Sequence, residues 1–158
     1  MRKFSTAIAV LGLAALGLAA PGTSAQAAPQ SVCGSKWPGR DGNVRAWEDI
    51  YCGGELLGVT AGNDANWNDS WGAFQGDDGR KPSSVMNSGY LGGRDVVAFY
   101  WNYDYAYQDG YVCLSPYERY ADNLTDNKFT KGDIVVNDDI GSHQWVTASA
   151  CTADSFLK

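Results

Sequence analysis

An all-β sandwich or barrel follows from three features of this sequence. No stretch of 12 or more residues keeps a helical hydrophobic period. Short runs rich in β-branched and aromatic residues alternate with Gly, Asn and Asp clusters. The two halves also repeat one order of parts. Each has an aromatic-ended strand, a turn glycine, a second strand, a long loop, and a serine before a closing strand.

Taken in order, residues 28–42 form an irregular lead-in, broken by Pro29, Gly34, Pro38, Gly39 and Gly42 and tethered by Cys33. A β-hairpin spans about 44–60, folding over at Glu48-Asp49 and returning through Gly53-Gly54. A polar loop follows. Its Trp67 and Trp71 either cover a core edge or form a ligand platform, and their spacing of four also allows them one face of a short helical turn. Ser83–Asn87 starts another strand, and 90–94 connects the halves. Asp95–Trp101 is the strongest strand pattern, and Tyr111–Leu114 is a further one. Tyr117, Tyr120 and Leu124, spaced by three and four, predict a short helical piece within 117–129. Strands at 133–136 and 143–147 flank a turn at 137–142.

A basic start, an apolar run from Ala7 to Ala20 and the small-residue site Ala25-Gln26-Ala27 make residues 1–27 a secretory signal peptide. The run is short of the roughly 20 residues a membrane span needs. Removing residues 1–27 leaves 131 residues, read as one domain over 43–158 with units at about 43–90 and 95–151. The remainder has 10 basic and 18 acidic side chains, which argues against nucleic acid and anionic membranes as partners. A secreted, extracellular monomer is expected. Four cysteines in an exported chain predict two disulfides. Of the three possible pairings, Cys33–Cys52 and Cys113–Cys151 each close a loop within one half. A zinc site is disfavoured, because there is no C-x-x-C and His143 is the sole histidine.

Trp47-Glu48-Asp49, Gly54 and Ser84 together resemble the βγ-crystallin Greek-key motif. There an aromatic residue starts a folded hairpin, a glycine takes the strained turn position, and a later serine bonds back to the hairpin. Tyr100, Gly110 and Ser142 resemble a second, more divergent copy with three extra hairpin residues. The resemblance implies two Greek-key motifs forming a βγ-crystallin-like sandwich. More narrowly, the export signal, the Trp-Glu-Asp and Cys-Gly-Gly run, the Val-Cys-Leu strand and the Ser-His-Gln-Trp-Val ending resemble secreted bacterial crystallin-like metallopeptidase inhibitors. This resemblance covers about residues 43–151. It implies a protease inhibitor that occupies the active-site cleft as a substrate would, with an extracellular protease as partner.

By that resemblance the reactive bond follows a bridged cysteine, at Cys113–Leu114. The run Tyr111–Leu114 also reads as a strand with Leu114 in the core, and the two readings are alternatives. Tyr103, Tyr105 and Tyr107 alternate, so on a strand they share one face, a contact surface for a sugar or protein. The competing reading is a core edge and hairpin surface. Crystallin-like motifs often carry calcium at two Asn/Asp residues followed by serines, which points to Asn137, Asp138 and Ser142. Gly79 and Arg80 stand at the corresponding acidic positions of the first unit, and a turn-forming role for Asn137 and Asp138 is the alternative. No cofactor other than calcium is implied. Enzyme activity is not expected: H-E-x-x-H, G-x-S-x-G and P-loop motifs are absent, and one histidine leaves little for acid–base chemistry. A non-inhibitory binding module for calcium, glycan or protein, and a toxin of similar fold, are the other functions considered.

Overall fold

The computed structural model describes residues 30–158, so the signal peptide expected at 1–27 lies outside the described residues. Two antiparallel sheets face each other. The first has strand order β2-β1-β3-β6, with β1 at Asn43–Asp49, β2 at Gly53–Thr60, β3 at Ser84–Ser88 and β6 at Tyr120–Ala121. The second has order β5-β4-β7, with β4 at Val96–Tyr100, β5 at Tyr111–Leu114 and β7 at Ser142–Val146. The halves exchange their outermost segments. β6, from the second half, pairs with β3 of the first. Asp64, from the first half, bridges His143 in β7. This is the two-Greek-key, βγ-crystallin-like sandwich.

Strand alternation sorts the apolar side chains into an inner core and two outer clusters. Val44, Val85, Val97, Phe99, Val112 and Leu114 point inward and pack with Trp67, Phe74 and Ile140. On the outer face of the first sheet, Trp47 and Met86 pack around Cys33–Cys52, with Trp37 and Tyr120 beside them. On that of the second, Val96, Ala98 and Tyr100 pack with Cys113 of the Cys113–Cys151 bridge, under Tyr105 and Phe156. Both bridges have the within-half pairing expected. Each staples an outer layer that is too thin to bury its apolar face alone.

The two hairpins fold over by one device. In the first, Tyr51 and Cys52 take left-handed backbone angles (φ 62° and 57°). Ser84 Oγ donates to the Asp49 carbonyl (2.7 Å) and accepts from the Cys52 amide (3.0 Å). In the second, Asp104 and Tyr105 take the same angles (φ 55° and 59°). Ser142 Oγ donates to the Asn102 carbonyl (2.7 Å) and accepts from the Tyr105 amide (3.3 Å). Each serine therefore ties a carbonyl to the amide three residues on. The first turn closes so tightly that a Cβ at Gly54 (φ 63°) would lie 2.9 Å from the Asp49 carboxyl carbon. Both serines are fully buried. Ser84→Ala and Ser142→Ala each strand two backbone groups, and each is expected to cost about 2 kcal/mol in denaturant unfolding. Ser84→Thr, which retains the hydroxyl, is expected to recover part of that loss.

Two predicted elements are not found. Residues 117–129 hold no helix: Tyr120–Ala121 is β6, Lys128 makes an isolated bridge, and the rest is turn and irregular chain. Within 133–136 only Val135 pairs, through a single bridge to Lys128. The lead-in is more ordered than its composition suggests. It makes one helical turn at Cys33–Lys36, and Lys36 Nζ donates to the Cys52 carbonyl (2.6 Å).

Candidate functional site

The Cys113–Leu114 bond is not presented to solvent. Both residues are fully buried in β5. Val97 lies opposite Leu114, and Ala98 opposite Cys113. The Leu114 carbonyl accepts from Asn87 Nδ2 (3.0 Å). On the other side of β5, Phe156 bridges Cys113 and the Leu157 amide donates to the Cys113 carbonyl (2.9 Å). A protease reaching this bond would have to strip both flanks of the strand. Leu114 lies in the core, as the strand reading has it.

The chain becomes accessible immediately beyond it. Residues 115–119 form a turn in which the Glu118 amide donates to the Ser115 carbonyl (3.2 Å), and the Tyr117 amide to Ser115 Oγ (3.2 Å). Its base is clamped. Arg40 Nη2 donates to the Pro116 carbonyl (2.7 Å), Pro116 is buried, and the Asn87 amide donates to the Arg119 carbonyl (2.7 Å). The Arg40 and Arg119 guanidinium groups both lie over the Trp37 ring, at 5.6 and 5.5 Å. At the tip Tyr117 is 78% exposed. The result is a rigid, disulfide-proximal turn that displays one aromatic side chain.

The three tyrosines do not share a strand face, because 101–110 is turn rather than strand. Tyr105 packs edge-on against Tyr100 in the outer cluster, and burial pushes its hydroxyl pKa up. Tyr103 is half-buried, and Tyr107 alone is exposed, on the helical turn Tyr107–Asp109 that forms the hairpin's extra residues. Trp67 and Trp71 also part company: Trp67 is fully buried and Trp71 is 79% exposed.

Nor do Asn137, Asp138 and Ser142 converge. Ser142 is committed to the Asn102–Tyr105 turn. Asp138 instead reaches across the units, where its Oδ1 accepts from Ser83 Oγ (3.3 Å). Both line a cleft of about 290 Å³ with Glu48, Asp49, Arg80 and Lys81. Burial, with Asp139 and Glu48 nearby, pushes the Asp138 pKa up. Sequence reasoning missed this pairing of Ser83 with Asp138 and Glu48 because it sought the oxygens within a single unit. The oxygens are of the hard type calcium takes, but two cationic side chains share the cleft. Arg80 pairs with Asp139, and Lys81 with Asp77 (2.8 Å). Among the described residues no three His, Cys, Asp or Glu side chains are placed to hold a metal ion.

His143 is fully buried. Its Nδ1 accepts from Trp67 Nε1 (2.8 Å), which can only donate, so Nε2 carries the proton and donates to the Gly62 carbonyl (3.0 Å). Burial pulls its pKa down to about 4. With both nitrogens occupied and no solvent contact, it has no route to a substrate.

No protein-family model matches the chain. No curated protein matches it. A solved structure described as "Evolution of the eye lens beta-gamma-crystallin domain fold" is similar at 18% identity, over 68% of this chain and 86% of that chain, with a TM-score of 0.47. The chain's own strand order, exchanged segments and two serine-pinned hairpins make its fold βγ-crystallin-like.

Proposed function

We propose that this chain is a secreted, non-catalytic protein-binding module that inhibits a protease by presenting the turn 115–119 to the active-site cleft. The observation that carries this reading is the display of Tyr117 at 78% exposure on a turn whose base is held by Arg40, Asn87 and the Trp37 stack. A pre-organised turn loses little entropy on binding, and exposed aromatic anchors dominate interface energetics. Two disulfides and, among the described residues, no helix able to cross a membrane are consistent with an extracellular setting. The test mixes residues 28–158 at near-equal concentration with thermolysin, a serine peptidase and a cysteine peptidase. Stoichiometric loss of one activity is expected, relieved at least about tenfold by Tyr117→Ala. Full activity in all three mixtures sinks the proposal.

A second reading, a cation-dependent binding module, is favoured by the Ser83–Asp138 contact beside Glu48 and opposed by Arg80 and Lys81. It predicts a calcium-dependent rise in Tm that Asp138→Ala abolishes. No rise at millimolar calcium removes it.

A further inference from the structure

The outer layer of the first sheet carries three cations without a carboxylate. Arg40 and Arg119 lie over one ring, that of Trp37. Lys36 Nζ lies 5.5 Å from the centroid of the Trp47 ring. Trp37, Trp47 and Tyr120 pack together around Cys33–Cys52, so the three charges stand on a single cluster. Among the described residues no carboxylate pairs with any of them. The carboxylates next to them in the chain are otherwise placed: Asp41 pairs with Arg45, and Glu118 is exposed at the turn and makes no ion pair.

Backbone contacts fix these positions. Arg40 Nη1 and Nη2 donate to the Gly89 and Pro116 carbonyls (2.9 and 2.7 Å), and Lys36 Nζ donates to the Cys52 carbonyl (2.6 Å). Arg119 stands at a left-handed backbone angle (φ 69°), uncommon outside glycine, and its carbonyl accepts from the Asn87 amide (2.7 Å). An indole attracts a cation, but two guanidinium charges beside one ring also repel each other. An anionic group placed near both relieves that repulsion. Arg119 is exposed, and its planar fork of N–H donors matches a carboxylate. Tyr117 is displayed two residues before it, so the cationic layer is continuous with the turn 115–119. The chain is acidic overall, so a local field of this sign orients an acidic partner on this face.

We infer that this layer receives an acidic protein segment, with a side-chain carboxylate on the Arg119 fork, in the field of Arg40 and Lys36, while Tyr117 supplies the apolar anchor. The inference deepens the proposed contact and rests on the turn 115–119 being the surface a partner meets. It adds that the partner's rim is acidic.

The probe is a short capped fluorescent peptide alternating Glu and Ala, compared with its Gln counterpart and with a labelled sulfated oligosaccharide. Binding to residues 28–158 at low salt is read by anisotropy and by amide and indole chemical shifts. The Glu peptide is expected to bind at least about tenfold tighter than the Gln peptide and to shift the Trp37 indole and the Arg119 amide. Arg119→Gln is expected to weaken it about fivefold, and added salt to weaken it further. Lys131→Gln, which removes the same charge beside Gly110 in the second hairpin, is expected to leave binding unchanged. No shifts at Trp37 and Arg119 at millimolar peptide, an equal loss with Lys131→Gln, or tighter binding of the oligosaccharide overturns the inference. Peptide binding alongside full activity in all three peptidase mixtures upholds the acidic contact and removes the protease as its partner. Inhibition without peptide binding removes the acidic contact alone.

Discussion

Trp67→Ala is expected to cost about 3–5 kcal/mol, the largest single loss anticipated in this chain. The Trp67 ring has no solvent contact. It stacks on Phe74 (centroids 3.8 Å apart, planes at 4°) and meets Phe99 edge-on at 6.2 Å. Its amide donates to the Gly141 carbonyl (2.9 Å), so the first-half loop is sewn to the second unit just ahead of β7. Truncation leaves a cavity between the sheets and removes the donor that His143 Nδ1 requires. Trp67→Phe separates these effects. It retains most of the apolar volume but leaves Nδ1 unpaired, at about 1–3 kcal/mol. Urea unfolding monitored by circular dichroism measures both: a lower midpoint at unchanged slope reports stability. Equal midpoints for the wild type and Trp67→Ala would show that this loop is not part of the core.

Acid is expected to destabilise the protein through His143. Its folded pKa of about 4 lies below its ordinary value of 6.5. The unfolded chain therefore takes up this proton first as pH falls. The stability His143 confers is complete above about pH 6.5, declines as pH falls towards 4, and is fully lost below that, for a total of about 3 kcal/mol. The cause is burial. A protonated ring would carry an unpaired charge inside the sandwich and turn its Nδ1 from acceptor to donor, facing the Trp67 N–H. Asp64, whose pKa is raised by its own burial, acts in the opposite sense and softens the acid limb. His143→Gln is expected to be less stable at pH 7 and to show a flatter profile between 6.5 and 4. A slope equal to that of the wild type would place the titrating group elsewhere.

The parts of this fold carried by local chemistry were legible in the sequence. Paired glycines after Glu48-Asp49 announced the first hairpin, and serines at 84 and 142 stood where a residue must bond back to each fold-over. The cysteines paired as loop closure within each half suggested. The contributions of distant segments were not legible. β6 is two residues long, too short to show any period, and it exists only because β3 offers an edge. Spacings of three and four among Tyr117, Tyr120 and Leu124 were therefore mistaken for helix, although Leu124 enters the core from a turn. The buried state of Cys113–Leu114 depends on Phe156 and Leu157, about forty residues on. The apolar pair Phe156-Leu157 was the available signal, since such a pair needs a surface to cover. Ser83 and Asp138 meet only because the halves face each other.

The central functional claim is that β5 belongs to the interior and that the turn beyond it is what a protease meets. Prolonged incubation of residues 28–158 with any peptidase that loses activity in the mixing test, followed by mass spectrometry of the non-reduced and reduced protein, tests this directly. The account predicts a stable complex and, on slow turnover, a single cut within residues 115–119. A cut between Cys113 and Leu114 would contradict it.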